Sequence, residues 1–351
     1  MSERTSPKRI AILGATSLIA RDLIISSSGA ADWHLHLFAR RPDEVNKWLA
    51  SIGLTGCYPV DEFSGFAKQE FDAVINFVGV GNPAQAVAMG NSIFDITLRF
   101  DELVLDYLQT HPTCRYLFLS SGAAYGSVFN EPANRDTPAI IPINNLSQQE
   151  WYGVAKLHAE CRHRSYPDLA IIDIRVFNYF SRTQDISARF LITDILRAIR
   201  DKTVLKTSPD YIVRDYSHPS DFYNLVNTLL SASAANTVVD CYSKAPIDKP
   251  TLLAAMQDKF GLQYEITEAM TSVNATGSKP NYYSLNTRAA DFGYRPALTS
   301  LEGVLQEMEA MLQCLRIKEQ ASIDRRDDPD LTGDIGSDPS RRLNNLRTPL
   351  F

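Results

Sequence analysis

A chain of 351 residues, 44% hydrophobic and 22% charged, can fill a globular core and is long enough for a nucleotide-binding domain with a smaller lobe. The net charge of −6, without a basic cluster, argues against a nucleic-acid partner, and no apolar run is long enough to cross a bilayer. Cys57, Cys114, Cys161, Cys241 and Cys314 are scattered, with no Cys-x-x-Cys pair and no histidines at ligand spacing, so reduced thiols, no metal site and a cytoplasmic setting are expected.

In chain order, polar Met1 to Lys8 carries no apolar leader and runs into Arg9 to Leu13, a buried strand, followed by a helix over Ser17 to Ser27. His34 to Phe38 reads as a second strand, with a helix beginning near Pro42. Phe71 to Phe77, Arg115 to Leu119 and Leu169 to Val176 supply further strands, separated by helices over Ser92 to Gln109 and Gln148 to Tyr166. This alternation predicts an α/β fold with a doubly wound parallel sheet over 1–180, joined by a returning segment near 210–240. Beyond Phe180 the pattern loosens into a discontinuous mixed α/β lobe over 181–315, with helices over Asp185 to Arg200 and Asp248 to Phe260. After Leu315 polar residues dominate, and 316–351 is expected to be a poorly ordered tail.

Between the first strand and helix lies Gly14-Ala15-Thr16-Ser17-Leu18-Ile19-Ala20. Such a turn brings backbone N–H groups and a helix N-terminus to a dinucleotide pyrophosphate, so Gly14, Thr16, Ser17, Leu18 and Ile19 are candidate cofactor contacts. Only Gly14 of three customary glycines is present, with small Ser17 and Ala20 in the other places. The second strand ends in Ala39-Arg40-Arg41, with no carboxylate before Asp43. Guanidiniums there attract the 2′-phosphate of NADP(H), whereas the acid of NAD enzymes would repel it. NADP(H) is the expected cofactor and NAD(H) the alternative.

Tyr152 and Lys156 stand at i, i+4 on one face of a predicted helix. An ammonium a few ångströms away, together with an oxidised nicotinamide ring, favours the phenolate and moves its pKa toward the working range. Ser120-Ser121 ends a strand about thirty residues earlier, and Ser121 is placed to hydrogen-bond a reacting oxygen beside Tyr152.

With these motifs the chain resembles the extended short-chain dehydrogenase/reductases, in their nucleotide-sugar epimerase/dehydratase/reductase group, over roughly Lys8 to Leu312. The resemblance rests on Ser120-Ser121-Gly122-Ala123-Ala124-Tyr125-Gly126, on Tyr152 with Lys156, on Arg175 to Tyr179, on Arg214 to Asp221, and on Phe292 to Pro296. It implies a Rossmann-type fold in which Ser121, Tyr152 and Lys156 are catalytic and Lys156 also holds the nicotinamide ribose. Asn76 and Gly79 would lie beside the cofactor. Asn178 and Tyr125 would face a nucleotide-sugar, and Arg214 would pair with its diphosphate. A homodimer through a four-helix arrangement that includes the Tyr152 helix is a further option it carries.

Within that group, 4,6-dehydratases place an acid pair where this chain has Gly122-Ala123, and C3/C5 epimerising reductases need Cys and His nearby, which are missing here. A net reductase draws on NADPH, and Arg40-Arg41 favour that cofactor. The expected reaction is NADPH-dependent reduction of a keto group on a nucleotide-sugar, with Tyr152 as general acid. The alternatives are a 4-epimerase with tightly held NAD, or a reductase of small aldehydes or ketones.

Overall fold

The computed structural model describes residues 7–79, 83–268 and 279–324. In β1 (Lys8–Leu13), Ile10 and Ile12 enter one core while Ala11 and Leu13 enter the other, and all four are buried. A strand apolar on both faces belongs inside a parallel sheet covered by helices. The remaining strands of that sheet are β2 (Trp33–Phe38), β3 (Val60–Asp61), β4 (Ala73–Asn76), β5 (Arg115–Ser121), β6 (Ile171–Val176) and β7 (Thr237–Asp240). All run parallel, in the order β7-β6-β5-β4-β1-β2-β3, with Leu13 level with Asn76 and Ser121 level with Val176.

The helices are α1 (Leu18–Ser27), α2 (Pro42–Ser51), α3 (Pro83–Met89), α4 (Ser92–Thr110), α5 (Gln148–Arg164), α6 (Leu191–Asp201), α7 (Pro219–Ser231), α8 (Lys249–Phe260) and α9 (Ser300–Asp324). Leu23, Leu49 and Phe222 seal α1, α2 and α7 onto one face of the sheet; Val104, Leu108 and Ala159 seal α4 and α5 onto the other. Winding reverses between β1 and β4, which leaves a crevice at their carboxyl ends, where open α/β sheets take ligands.

The lobe has its own core, in which Ile195 and Leu196 of α6 meet Leu252 and Met256 of α8 and Val304 and Met308 of α9. Short strands tie it together: Val204–Thr207 pairs with Gln263–Ile266, and Val213–Arg214 pairs with both Ile247–Asp248 and Asn281–Tyr282.

Two boundaries differ from those expected. Asp185 accepts from the N–H and hydroxyl of Ser187 at 2.9 and 2.8 Å, a local turn that competes with helix. The helix therefore starts only at Leu191, where the Thr193 hydroxyl accepts from Phe190 N–H at 3.1 Å. At the other end, α9 runs past Leu315 to Asp324, and Met308, Met311 and Leu312 seat its earlier turns on the lobe. The rest of the expected tail, 325–351, lies outside the described residues. Among those described, no helix is long and apolar enough to cross a membrane.

Candidate active site

One cleft of about 1870 Å³ runs from the tip of β2 across the carboxyl ends of β1, β4 and β5 into the lobe. That exceeds the ~300–1,000 Å³ of a pocket for one small ligand and leaves room for a dinucleotide and a second molecule.

At the foot of β1, Gly14 takes φ +83°, and a Cβ there would stand 3.0 Å from Phe77 C and Val78 N. Glycine is required twice over, by the backbone twist and by the close approach of β4. Ser17 caps α1 by accepting from Ala20 N–H at 3.2 Å. The turn and the first turn of α1 thus open onto the cleft, and Gly14, Thr16, Ser17, Leu18 and Ile19 all line it. A cradle that admits no Cβ and ends in a helix N-terminus fits a pyrophosphate. Arg40 and Arg41 also line the cleft, exposed at the end of β2, with Arg41 Nη1 2.8 Å from Glu44.

Strand pleating separates the two serines. The Ser120 hydroxyl turns inward and donates to Glu160 at 2.5 Å, whereas Ser121 lines the cleft and its Oγ accepts from Ala123 N–H at 3.2 Å. The α5 backbone comes close here because residue 153 is glycine; a Cβ on Gly153 would collide with Ala123 O. That contact brings Tyr152 to Ser121, whose hydroxyl favours the ionised phenol. On the same face, buried Lys156 donates to Leu119 O at 2.7 Å and lies 4.3 Å from the Phe118 ring centroid. Burial brings its pKa down to about 8 against the opposing pull of Asp101, Glu160 and Asp173.

At Tyr152, burial works against the phenolate. Its pKa is raised, chiefly by burial and then by Tyr282, with the Ser121 hydroxyl opposing. The phenol keeps its proton at neutral pH because desolvation outweighs any help from Lys156, whose Nζ is 5.9 Å from the Tyr152 ring centroid. A protonated phenol is suited to donate a proton.

Other expected contacts divide. Gly79 lines the cleft, and a Cβ on it would be 3.4 Å from Lys156 Nζ. Asn178 lines it too, although its amide donates to Tyr282 O at 3.1 Å and Asp215 O at 3.3 Å and so braces the lobe. Arg214 reaches the cleft with Nη1 bound to Val213 O and Lys279 O, both at 2.8 Å.

Asn76 and Tyr125 face elsewhere. Asn76 is sealed in the core, donating to Tyr116 Oη at 3.0 Å and accepting from Val78 N–H at 2.9 Å, so it shapes the Val78–Gly79 loop from behind. The Tyr125 hydroxyl is drawn away from the cleft by buried Asp240, to which it donates at 2.9 Å.

Tyr282 and Lys279 were not foreseen. Tyr282 is buried, lines the cleft and brings its hydroxyl to 3.4 Å from Ser121 Oγ. Lys279 Nζ lies 4.6 Å from the Tyr282 ring centroid, and burial followed by the Arg214 charge brings its pKa down to about 8. The sequence signal for them is only a Lys-Pro-Asn-Tyr-Tyr run; the pairing of Tyr282 with Arg214 places them.

The profile of the NAD dependent epimerase/dehydratase family matches residues 10–241, most of the chain. The chain belongs to that family. UDP-glucose 4-epimerase 2 of Oryza sativa subsp. japonica is 32% identical over 117 residues, which cover 32% of this chain and 27% of the relative. The curated relatives are thus matched over less than a third of their length. Among solved structures, UDP-glucuronic acid 4-epimerase from Bacillus cereus, in complex with UDP-glucuronic acid and NAD, superposes with a TM-score of 0.71 at 15% identity. That superposition covers 88% of this chain and 99% of that one. RMD from Pseudomonas aeruginosa complexed with NADPH gives 0.67 at 19% identity over 88% and 98%. At such identities these likenesses establish the fold.

Proposed function

We propose that the protein reduces a keto group on a nucleotide-activated sugar with NADPH, Tyr152 acting as general acid. The observation that carries this reading is the basic end of β2, where Arg40 and Arg41 line the cleft at the place an NAD enzyme keeps an acid. A bound nicotinamide would supply the hydride to the carbonyl carbon. Tyr152, held protonated by burial, donates its proton to the carbonyl oxygen as charge develops there. The Ser121 hydroxyl donates a second hydrogen bond to that oxygen. Lys156, fixed by Leu119 O, keeps a positive charge near the ring of Tyr152, and its remaining N–H groups would hold the ribose hydroxyls of a bound cofactor. Arg214 and Lys279, side by side on the lobe wall, take the substrate diphosphate, and Asn178 holds the Tyr282 strand against it.

The curated relatives favour a second reading, a 4-epimerase that oxidises and re-reduces one carbon with a retained NAD. The two readings differ in how the cofactor is held. Purified protein is titrated with NADPH and NADH by fluorescence, and nucleotide released on denaturation is identified. Preference for NADPH, with no nucleotide carried through purification, supports net reduction. Co-purifying NAD⁺ overturns it in favour of epimerisation.

A further inference from the structure

We propose that Arg21, on α1, is the principal recognition residue for a phosphate on the adenosine ribose of the dinucleotide, and that Trp48 of α2 holds it in place. This rests on the reading that the cleft takes NADP(H). Arg21 lines the same cleft as Arg40, Arg41 and Trp48. Its guanidinium carbon lies 5.1 Å from the Trp48 ring centroid, a stacked arrangement that limits the freedom of an otherwise mobile side chain. Its Nε is buried and has no hydrogen-bond partner among the described residues.

The two carboxylates whose charge acts on Arg21, Glu44 and Asp22, are engaged elsewhere. Glu44 is 2.8 Å from Arg41 Nη1. Asp22 is buried and accepts from the Tyr179 hydroxyl at 2.9 Å and the Thr183 hydroxyl at 2.7 Å. Arg21, Arg40 and Arg41 thus bring three positive charges to the cleft against two carboxylates, Glu44 and Asp22, each already engaged. A neutral ribose hydroxyl does not call for such an excess of positive charge, whereas a phosphate dianion does. Arg40 and Arg41 are exposed and must be ordered when a ligand arrives, while Arg21 is half-buried and already stacked. A preorganised guanidinium retains more of its interaction energy on binding, so Arg21 is the larger contributor.

The test uses two probes that need no sugar substrate, adenosine 2′,5′-bisphosphate and adenosine 5′-monophosphate, titrated calorimetrically into the full-length protein. Wild type is expected to bind the bisphosphate at least about 10-fold more tightly. Arg21→Gln should lower bisphosphate affinity about 10- to 100-fold, as expected for losing a charge-assisted phosphate contact, and leave the monophosphate within about twofold. Arg21→Lys should fall between, and Arg40→Gln should lose less than Arg21→Gln. Circular dichroism and melting confirm that each variant is folded; should Arg21→Gln not fold, Arg21→Lys and Trp48→Leu carry the comparison. If wild type discriminates and the Arg21 variants discriminate equally well, the assignment of Arg21 is overturned while the NADP(H) reading stands. Equal loss of both probes also overturns it, since Arg21 would then serve the common part of the ligand or the fold. If wild type itself does not prefer the bisphosphate, the NADP(H) reading fails first.

Discussion

Replacing His163 with Asn should destabilise the protein by an amount that depends on pH in a calculable direction. His163 sits on α5, the helix that carries Tyr152 and Lys156, with Nε2 2.6 Å from Asp101 Oδ1 and Nδ1 2.6 Å from Asp173 Oδ1, all three side chains fully buried. Burial alone would lower the imidazole pKa, but Asp173 and Asp101 overcome it and hold the value at about 9. The rise from an ordinary 6.5 corresponds to ~3 kcal/mol in favour of the folded cation. Because the folded value is raised, this stabilisation is complete below pH 6.5 and disappears as pH climbs through 9. In the variant, Asp101 keeps Arg162 at 3.1 Å and Asp173 keeps Arg164 at 2.5 Å, so the carboxylates are weakened in their pairing but not isolated. Urea unfolding of both proteins is measured from pH 6 to pH 10. The stability gap should be widest at pH 6 and narrower by ~3 kcal/mol at pH 10, where other groups titrate alike in both proteins and cancel. A gap that stays constant across this range would mean that the buried imidazole carries no charge, and the reasoning would be refuted.

Tyr152→Phe should reduce turnover by about 10²- to 10⁴-fold while leaving nucleotide affinity unchanged, as expected for removal of the proton donor alone; parallel loss of binding would contradict the assignment. Tyr282→Phe should lower kcat about tenfold in wild type and have almost no effect in a Ser121→Ala background, because the Tyr282 hydroxyl acts through Ser121 Oγ. Independent effects in that double-mutant cycle would separate the two groups. Gly14→Ala forces a side chain into φ +83° with its Cβ 3.0 Å from Phe77 C, and the left-handed backbone alone costs ~1–2 kcal/mol. A melting temperature within a degree of wild type, together with unaltered nucleotide binding, would show that the β1–α1 turn is looser than this geometry.

What was legible in the chain follows the distance over which each feature is specified. The Gly14 turn, the start of the helix that follows it and the Tyr152–Lys156 spacing are set within a few residues, and the structure places all of them on one cleft. Pleating supplies Ser121 in the same way, since adjacent strand residues face opposite sides and only one of the two serines can reach the cleft. Where two partners are far apart in the chain, the residue type alone misleads. Asn76 ends a strand as a cofactor contact would, yet Tyr116 and Phe100, forty and twenty-four residues on, draw its amide into the core. Tyr125 stands next to the catalytic turn, yet Asp240, 115 residues away, turns its hydroxyl aside.

The lobe is the extreme case of this rule. Tyr282 reaches Ser121, 161 residues earlier, only because Asn281–Tyr282 adds to the two-residue strand Val213–Arg214, and no periodicity marks so short a pairing. That pairing also brings Lys279 beside Arg214 and sets the cation pair on the lobe wall of the cleft. The half of the cleft proposed to hold the cofactor is thus written in local turns and helix faces, whereas the half proposed for the substrate depends on a strand register that exists only once the lobe has folded. Swaps within Lys279 to Tyr282 should therefore redirect substrate choice without disturbing nucleotide binding, because that segment touches the reacting centre from the lobe side and contributes nothing to the Gly14 turn or the end of β2.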